Sequence, residues 1–200
     1  MIKLIIFDWG KVLGSGADRW NEELNIMQKI TGLTNLQLDT IFTKYWPKIK
    51  IGKEPLLNLW KEVSEKSNKL ISPQKLMTTY LEHTIINKEI FLIAKNLKES
   101  GYTIVILSNE SKEKMKYQVN KFNLNTIFDK VYCSGNLGLA KPEKRIFEYL
   151  MKDQKVRPQD VIFIDNKEYN IEAAKSLGIN SILFKSPKLL RKELSHLLSN

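Results

Sequence analysis

An apolar run near the start of the chain, Ile2 to Phe7 broken only by Lys3, constrains the fold more than any other feature. It is short and rich in Ile, the pattern of a strand buried on both faces in a parallel sheet. The run stops at Asp8, and Gly10 then permits a sharp turn. A residue at the carboxyl end of a central parallel strand faces the crevice in which open α/β sheets bind ligands. Asp8 is therefore the first candidate for chemistry, with a turn or helix-capping role as its alternative on this stretch alone.

The rest of the pattern agrees with such a sheet. Segments 103–107, 130–133, 161–164 and 180–184 read as strands, and 88–100, 112–122, 170–177 and 189–198 as helices. A further helix carrying Ile146, Phe147 and Leu150 follows Lys141-Pro142. Strands alternating with helices predict an α/β fold, a parallel Rossmann-like sheet with helices on both faces. Residues of about 15–85 read instead as four consecutive helices. The first is capped by Asp18 and carries Glu22 and Glu23 near its start. Thr34 or Asn35 opens the second, and Pro47 is expected to stop it. A Gly52-Lys53-Glu54-Pro55 turn introduces the third, and Ser72-Pro73 caps the fourth. The expected organisation is a core of residues 1–14 and 86–200, interrupted by an all-helical insertion at 15–85.

Charge and composition exclude several function classes. The net charge is +10, yet the lysines are scattered singly, with no basic block and no basic stretch interleaved with aromatics. A solvated surface, rather than nucleic-acid binding, is the expected reading. No apolar run approaches the roughly 18 residues that a membrane span needs. A single cysteine, Cys133, precludes an intrachain disulfide; its apolar neighbours predict a buried thiol, and a cytoplasmic location is expected.

Polar residues collect at the ends of three predicted strands: Asp8, Ser108-Asn109 and Asp165-Asn166. Lys141 enters from a loop before a helix. This set suits attack by Asp8 on a phosphoryl group, whose developing charge requires cations and donors around it. Lys141 supplies fixed positive charge, Ser108 Oγ a hydrogen bond, and Asp165 with Asp8 carboxylates for Mg²⁺.

These motifs resemble the haloacid dehalogenase superfamily of hydrolases over nearly the whole chain. Phe7-Asp8-Trp9-Gly10-Lys11-Val12-Leu13 resembles the first motif, Leu107-Ser108-Asn109 the second, and Gly138-Leu139-Ala140-Lys141-Pro142-Glu143 the third. Ile164-Asp165-Asn166, with Asn170-Ile171-Glu172-Ala173-Ala174 after it, resembles the fourth. The resemblance implies Asp8 as nucleophile, Ser108, Asn109 and Lys141 as catalytic residues, and Ser108, Asn109 and Lys11 as substrate contacts. It implies Mg²⁺ held by Asp8, the Gly10 carbonyl and Asp165 or Asn166, and a small phosphorylated, sugar-phosphate-type substrate. It also makes the insertion a helical cap. Gly10, with Gly52-Lys53-Glu54, is similar to the branch that contains bacterial α-D-glucose-1-phosphate phosphatase.

Two departures stand out. Most phosphatases of the superfamily have a second Asp where this chain has Gly10, and Gly10 cannot move a proton. The fourth motif has Asn170 where a second acid is expected. A non-catalytic binding module and a metal-free dehalogenase-type hydrolase are the competing expectations. Tyr45, Trp20, Trp46 and Trp60 are candidate specificity residues whose helical spacing instead predicts the cap interior, and His83 and His196 are expected away from any site.

Overall fold

The structure, a computed structural model, describes residues 1–14 and 20–199, without the side chains of residues 20–23. The apolar runs form five parallel strands: β1 (Leu4–Phe7), β2 (Thr103–Ser108), β3 (Lys130–Cys133), β4 (Val161–Asp165) and β5 (Asn180–Leu183). Their order is β3-β2-β1-β4-β5, so β1 is central. Ile5 sits opposite Ile104 on one side and Ile162 on the other, and Phe7 opposite Ile106 and Ile164. This register aligns the carboxyl ends of β1, β2 and β4 at one edge.

Successive side chains on a strand point to opposite faces. Ile5 and Phe7 accordingly enter one core with α5 (Lys88–Glu99), α6 (Lys112–Lys121) and α10 (Pro187–Leu198). Leu4 and Ile6 enter a second with α8 (Lys144–Gln154) and α9 (Glu168–Lys175).

Between β1 and α5 the chain forms α1 (Trp20–Thr31), α2 (Asn35–Ile49), α3 (Leu56–Lys66) and α4 (Pro73–Glu82). Leu38, Leu59, Trp60, Val63 and Leu76 centre a third apolar cluster, with Trp60 at 5.4 Å from Phe42 and 5.1 Å from Tyr80 between ring centroids. Local signals start these helices. Thr34 and Gln37 form a reciprocal capping box on α2, and Ser72 Oγ accepts from the Lys75 N–H at the start of α4. The chain segments into and out of this helical unit lie side by side, with the Asn87 N–H donating to Leu13 O at 2.8 Å.

The structure corrects some sequence readings. Helix α2 does not stop at Pro47 but runs through it to Ile49. Pro47 sits in the last turn, and the Lys50 N–H still closes that turn on Trp46 O at 2.9 Å while Ile49 is buried. Helices α9 and α10 each begin two residues earlier than expected, at Glu168 and Pro187. A short helix, α7 (Ser134–Leu137), follows β3 where none was expected. The Asp18 cap lies outside the described residues, as do the side chains of Trp20, Glu22 and Glu23.

Helix α7 fastens the helical unit to the sheet. Ser134 Oγ donates to Lys50 O, and Gly52 lies against the backbone of Gly135. Gly52 has φ +70°, and a Cβ there would meet Gly135 O at 2.1 Å. Gly52→Ala is therefore expected to cost about 1–3 kcal/mol from its left-handed backbone alone, and to push the α2–α3 turn off α7. The expected readings are a lower denaturation midpoint and, in any turnover assay, a raised KM. An unchanged midpoint removes this contact as a constraint.

Candidate active site

The site is assembled around one buried ammonium group. Asp8 follows β1 directly, its N–H still in register with Ile164 O at 2.8 Å. Lys141 Nζ donates to Asp8 Oδ1 at 2.5 Å, Asp165 Oδ2 at 2.7 Å and Leu107 O at 2.8 Å. All three protons of the ammonium are thus used, on three neighbouring strand ends. Lys141 is 3% exposed, Asp8 7% and Asp165 0%, so this triad is largely withdrawn from water. Burial raises the Asp8 carboxyl to about 6; Lys141 opposes the rise and Asp165 adds to it. Burial alone would lower Lys141, but the two carboxylates outweigh it and hold the ammonium above its ordinary value.

Several neighbours hold this arrangement. Asn109 accepts from the Lys141 N–H at 2.9 Å and donates to Lys141 O at 2.7 Å. Both ends of its amide are engaged by the lysine backbone. Asn109, expected to bind substrate, lies in the cavity wall but spends its amide on positioning Lys141. Asp165 Oδ1 accepts from the Lys167 N–H at 2.8 Å, and Oδ2 also accepts from Asn170 Nδ2 at 2.9 Å. Asp165, expected as a metal ligand, is therefore committed behind Lys141 and does not line the cavity; Asn166 does. The physical reason is the donor supply, since both Asp165 oxygens already face protein N–H groups. The turn after Asp8 is closed by the Gly14 N–H on Trp9 O at 2.8 Å and the Lys11 N–H on Gly14 O at 3.0 Å. Lys11 has φ 62°, an uncommon conformation for a residue with a side chain.

The cavity beside Asp8 holds about 350 Å³, within the small-molecule range of roughly 300–1,000 Å³. Gly10, Lys11, Ser108, Asn109, Lys141 and Asn166 line it with Asp8, so seven of the eight expected site residues share one wall. The opposite wall comes from the helical unit, through Asp39, Phe42, Thr43 and Trp46 of α2 and Tyr80 of α4. Trp46, expected in the interior of the insertion, reaches the cavity, whereas Trp60 is fully buried and Tyr45 packs at the edge of the helical cluster.

Sequence reasoning missed Lys114, and placed Asn170 in the fourth motif without giving it a role. Lys114, 6% exposed, lines the cavity with its Nζ 3.8 Å from the centroid of the Tyr80 ring. Nothing in the spacing of α6 marks it, because its partner is on α4. Asn170 also lines the cavity, and its Oδ1 is buried without a hydrogen-bond donor.

Other candidates are inert. Burial pushes the Cys133 thiol up to about 12, and it donates to Glu110 O. His83 pairs locally with Thr79 O at 2.7 Å, and His196 lies on α10, away from the cavity. Among the described residues, no helix is long and apolar enough to cross a membrane.

A parallel sheet with a carboxylate, a lysine and further polar groups at the ends of adjacent strands defines an α/β enzyme-type crevice. The sequence matches the haloacid dehalogenase-like hydrolase family over residues 18–184, and the chain belongs to that family. It is 26% identical to D-ribitol-5-phosphate phosphatase of Bacteroides thetaiotaomicron over 214 aligned positions, covering 100% of both chains. It is similar in structure to a haloacid dehalogenase family enzyme of the same bacterium, solved with magnesium and inorganic phosphate. That match has a TM-score of 0.72 and 26% identity, covering 92% of this chain and 95% of the other. Other curated relatives are matched over only part of their length. The chain spans 18% of the drimenol cyclase drtB of Aspergillus calidoustus, with 33% identity over 94 residues, or 47% of this chain.

Proposed function

We propose that this protein is a phosphatase of a small phosphorylated metabolite, of the sugar-phosphate kind, acting through an aspartyl-phosphate on Asp8. The observation that carries the reading is the Asp8–Lys141 pair, 2.5 Å apart in the wall of a cavity of about 350 Å³. The full-length likeness to a ribitol-5-phosphate phosphatase supports the substrate class. Asp8 Oδ attacks phosphorus and the P–O bond to the substrate breaks. Lys141 stabilises charge on the transferring group, and Ser108 and Lys11 take its oxygens. Water then cleaves the acyl phosphate and restores Asp8. The helical unit acts as a cap, and α2 and α4 form the substrate-facing wall. The finer likeness to the glucose-1-phosphate phosphatase branch is supported by Gly10 and by the Gly52 turn.

Magnesium fits this wall. Asp8 supplies a carboxylate, Gly10 only backbone, and Asn166 an amide, while the Asn170 Oδ1 acceptor stands without a donor. Among the described residues, no group of three or more His, Cys, Asp or Glu could hold a metal by itself. Mg²⁺ tolerates so sparse a set because it keeps several waters and takes phosphate oxygens as ligands. When bound, it supplies Lewis-acid polarisation of the phosphoryl oxygens.

The test is hydrolysis of p-nitrophenyl phosphate with Mg²⁺ and with EDTA, beside Asp8→Asn. Turnover is expected only with Mg²⁺ and only in the wild type. The nucleophile must be ionised, so kcat/KM is expected to fall as pH drops through about 6, the value to which burial raises Asp8, by roughly tenfold per unit below it. Equal turnover in EDTA transfers the protein to the metal-free class. Turnover by Asp8→Asn removes Asp8 as nucleophile.

A further inference from the structure

Of the polar residues after β4 that resemble the fourth motif, the two that line the cavity, Asn166 and Asn170, are amides. Asn166 faces the cavity in place of a carboxylate, and Asn170 supplies a buried oxygen rather than a charge. The acid that remains on this strand end, Asp165, is consumed by Lys141, Asn170 and the Lys167 N–H. At the ends of β1 and β4 a bound cation therefore meets one carboxylate, Asp8, which already shares an oxygen with Lys141.

The charge around the whole cavity sharpens the point. Among the described residues, the acids at the cavity or directly behind it are Asp8, Asp39, Glu110 and Asp165. The lysines there are Lys11, Lys114, Lys141 and Lys167, so the two sets cancel. A divalent cation entering alone leaves two uncompensated positive charges beside the buried Asp8–Lys141–Asp165 triad. A phosphate dianion entering alone leaves two negative ones. Together they restore neutrality, and the metal gains phosphate oxygens as ligands that this chain does not itself provide.

We propose that this site binds Mg²⁺ and the phosphoryl group as a mutually dependent pair, with Asn166 as the residue that makes the metal conditional on the phosphate. The inference rests on the phosphatase reading. Occupancy by metal then follows occupancy by substrate, and the free protein stays largely metal-free at Mg²⁺ concentrations that saturate the complex.

Calorimetric titration of the full chain tests this without any turnover. MgCl₂ is titrated in the absence and presence of saturating inorganic phosphate, and phosphate in the absence and presence of MgCl₂, with heats of Mg²⁺–phosphate association in buffer subtracted. Phosphate is expected to tighten Mg²⁺ by about 10–100-fold, and Mg²⁺ to tighten phosphate by the same factor, since coupling is reciprocal. Asn166→Asp adds a carboxylate facing the cavity. It is expected to tighten Mg²⁺ without phosphate by about tenfold or more, because affinity follows the charge of the ligand set, and to shrink the coupling. Circular dichroism checks that the variant is folded, and the wild-type coupling is decisive if it is not. Wild-type Mg²⁺ affinity independent of phosphate overturns the proposal and leaves the phosphatase reading standing. So does an Asn166→Asp protein whose phosphate-free Mg²⁺ affinity is unchanged. If neither ligand binds in any combination, both readings fall together.

Discussion

Lys141→Ala is expected to abolish turnover and also to weaken the fold. In the native protein one ammonium separates two buried carboxylates, at 2.5 Å from Asp8 and 2.7 Å from Asp165. Deleting it leaves two like charges facing each other with no cation between them. Removing one partner of a buried ion pair typically costs about 3–5 kcal/mol. Lys141 also holds the Asp8 carboxyl down against burial. Without it, Asp8 is raised further above its unfolded value, so the folded state binds more protons than the unfolded chain. Stability of the variant then falls as pH rises through that window, and its deficit is smaller near pH 5 than near pH 8. Catalysis suffers separately, because one preorganised charge lost from the transition state costs about 10²–10³-fold or more. Urea denaturation at several pH values measures the first effect, and kcat on p-nitrophenyl phosphate the second. Retained turnover removes Lys141 from the mechanism. A pH-independent deficit refutes the like-charge account of its structural role.

Gly10→Asp is expected to accelerate hydrolysis of poor leaving groups. The departing alkoxide must acquire a proton, and Gly10 offers none. Space for an acid exists: a Cβ on Gly10 would lie 3.7 Å from Asp8 Oδ2, an ordinary contact, and Gly10 is not among the residues of positive φ. General acid–base assistance is worth about 10²–10⁴-fold. Alkyl phosphates, which depend on protonation, should gain most of that factor, and aryl phosphates little. The wild type should correspondingly prefer acyl, glycosyl 1- or aryl phosphates and accumulate phosphorylated Asp8, visible by mass spectrometry. The measurement is kcat/KM for an alkyl and an aryl phosphate in both proteins. Equal wild-type rates on the two mean that another group supplies the proton. Absence of both turnover and phosphoprotein in the presence of Mg²⁺ supports the non-catalytic reading.

The sequence by itself determined the sheet and the residues at its active edge. A run as short and apolar as Leu4–Phe7 has few solutions other than a central parallel strand, and β2 and β4 share its texture. Because parallel strands in register end together, Asp8, Ser108 and Asp165 had to meet at one edge. The helix starts at Thr34 and Ser72 were equally legible, since capping is settled within four residues. Pro47 misled, because its effect depends on how near the helix end it falls, and the burial of Ile49 carries α2 past it.

Tertiary structure alone decided the remainder. Asp165 and Asn166 are adjacent, and neighbouring residues at a strand end point in different directions. Which of them meets the cavity was settled by donors far away in the chain: Lys141 reaches Asp165 Oδ2 at 2.7 Å across 24 positions. The Asn109 amide is likewise engaged by a distant segment, the Lys141 backbone 32 positions on. The wall facing Asp8 was hidden because Phe42, Trp46 and Tyr80 carry the same helical spacing whether they fill a core or line a cavity. The seating of the helical unit on the core, through Gly52 against Gly135 and Tyr80 against Lys114, sets which of them face the cavity. Spacing along one helix encodes which side is apolar; the identity of what lies opposite is a property of contacts between distant segments.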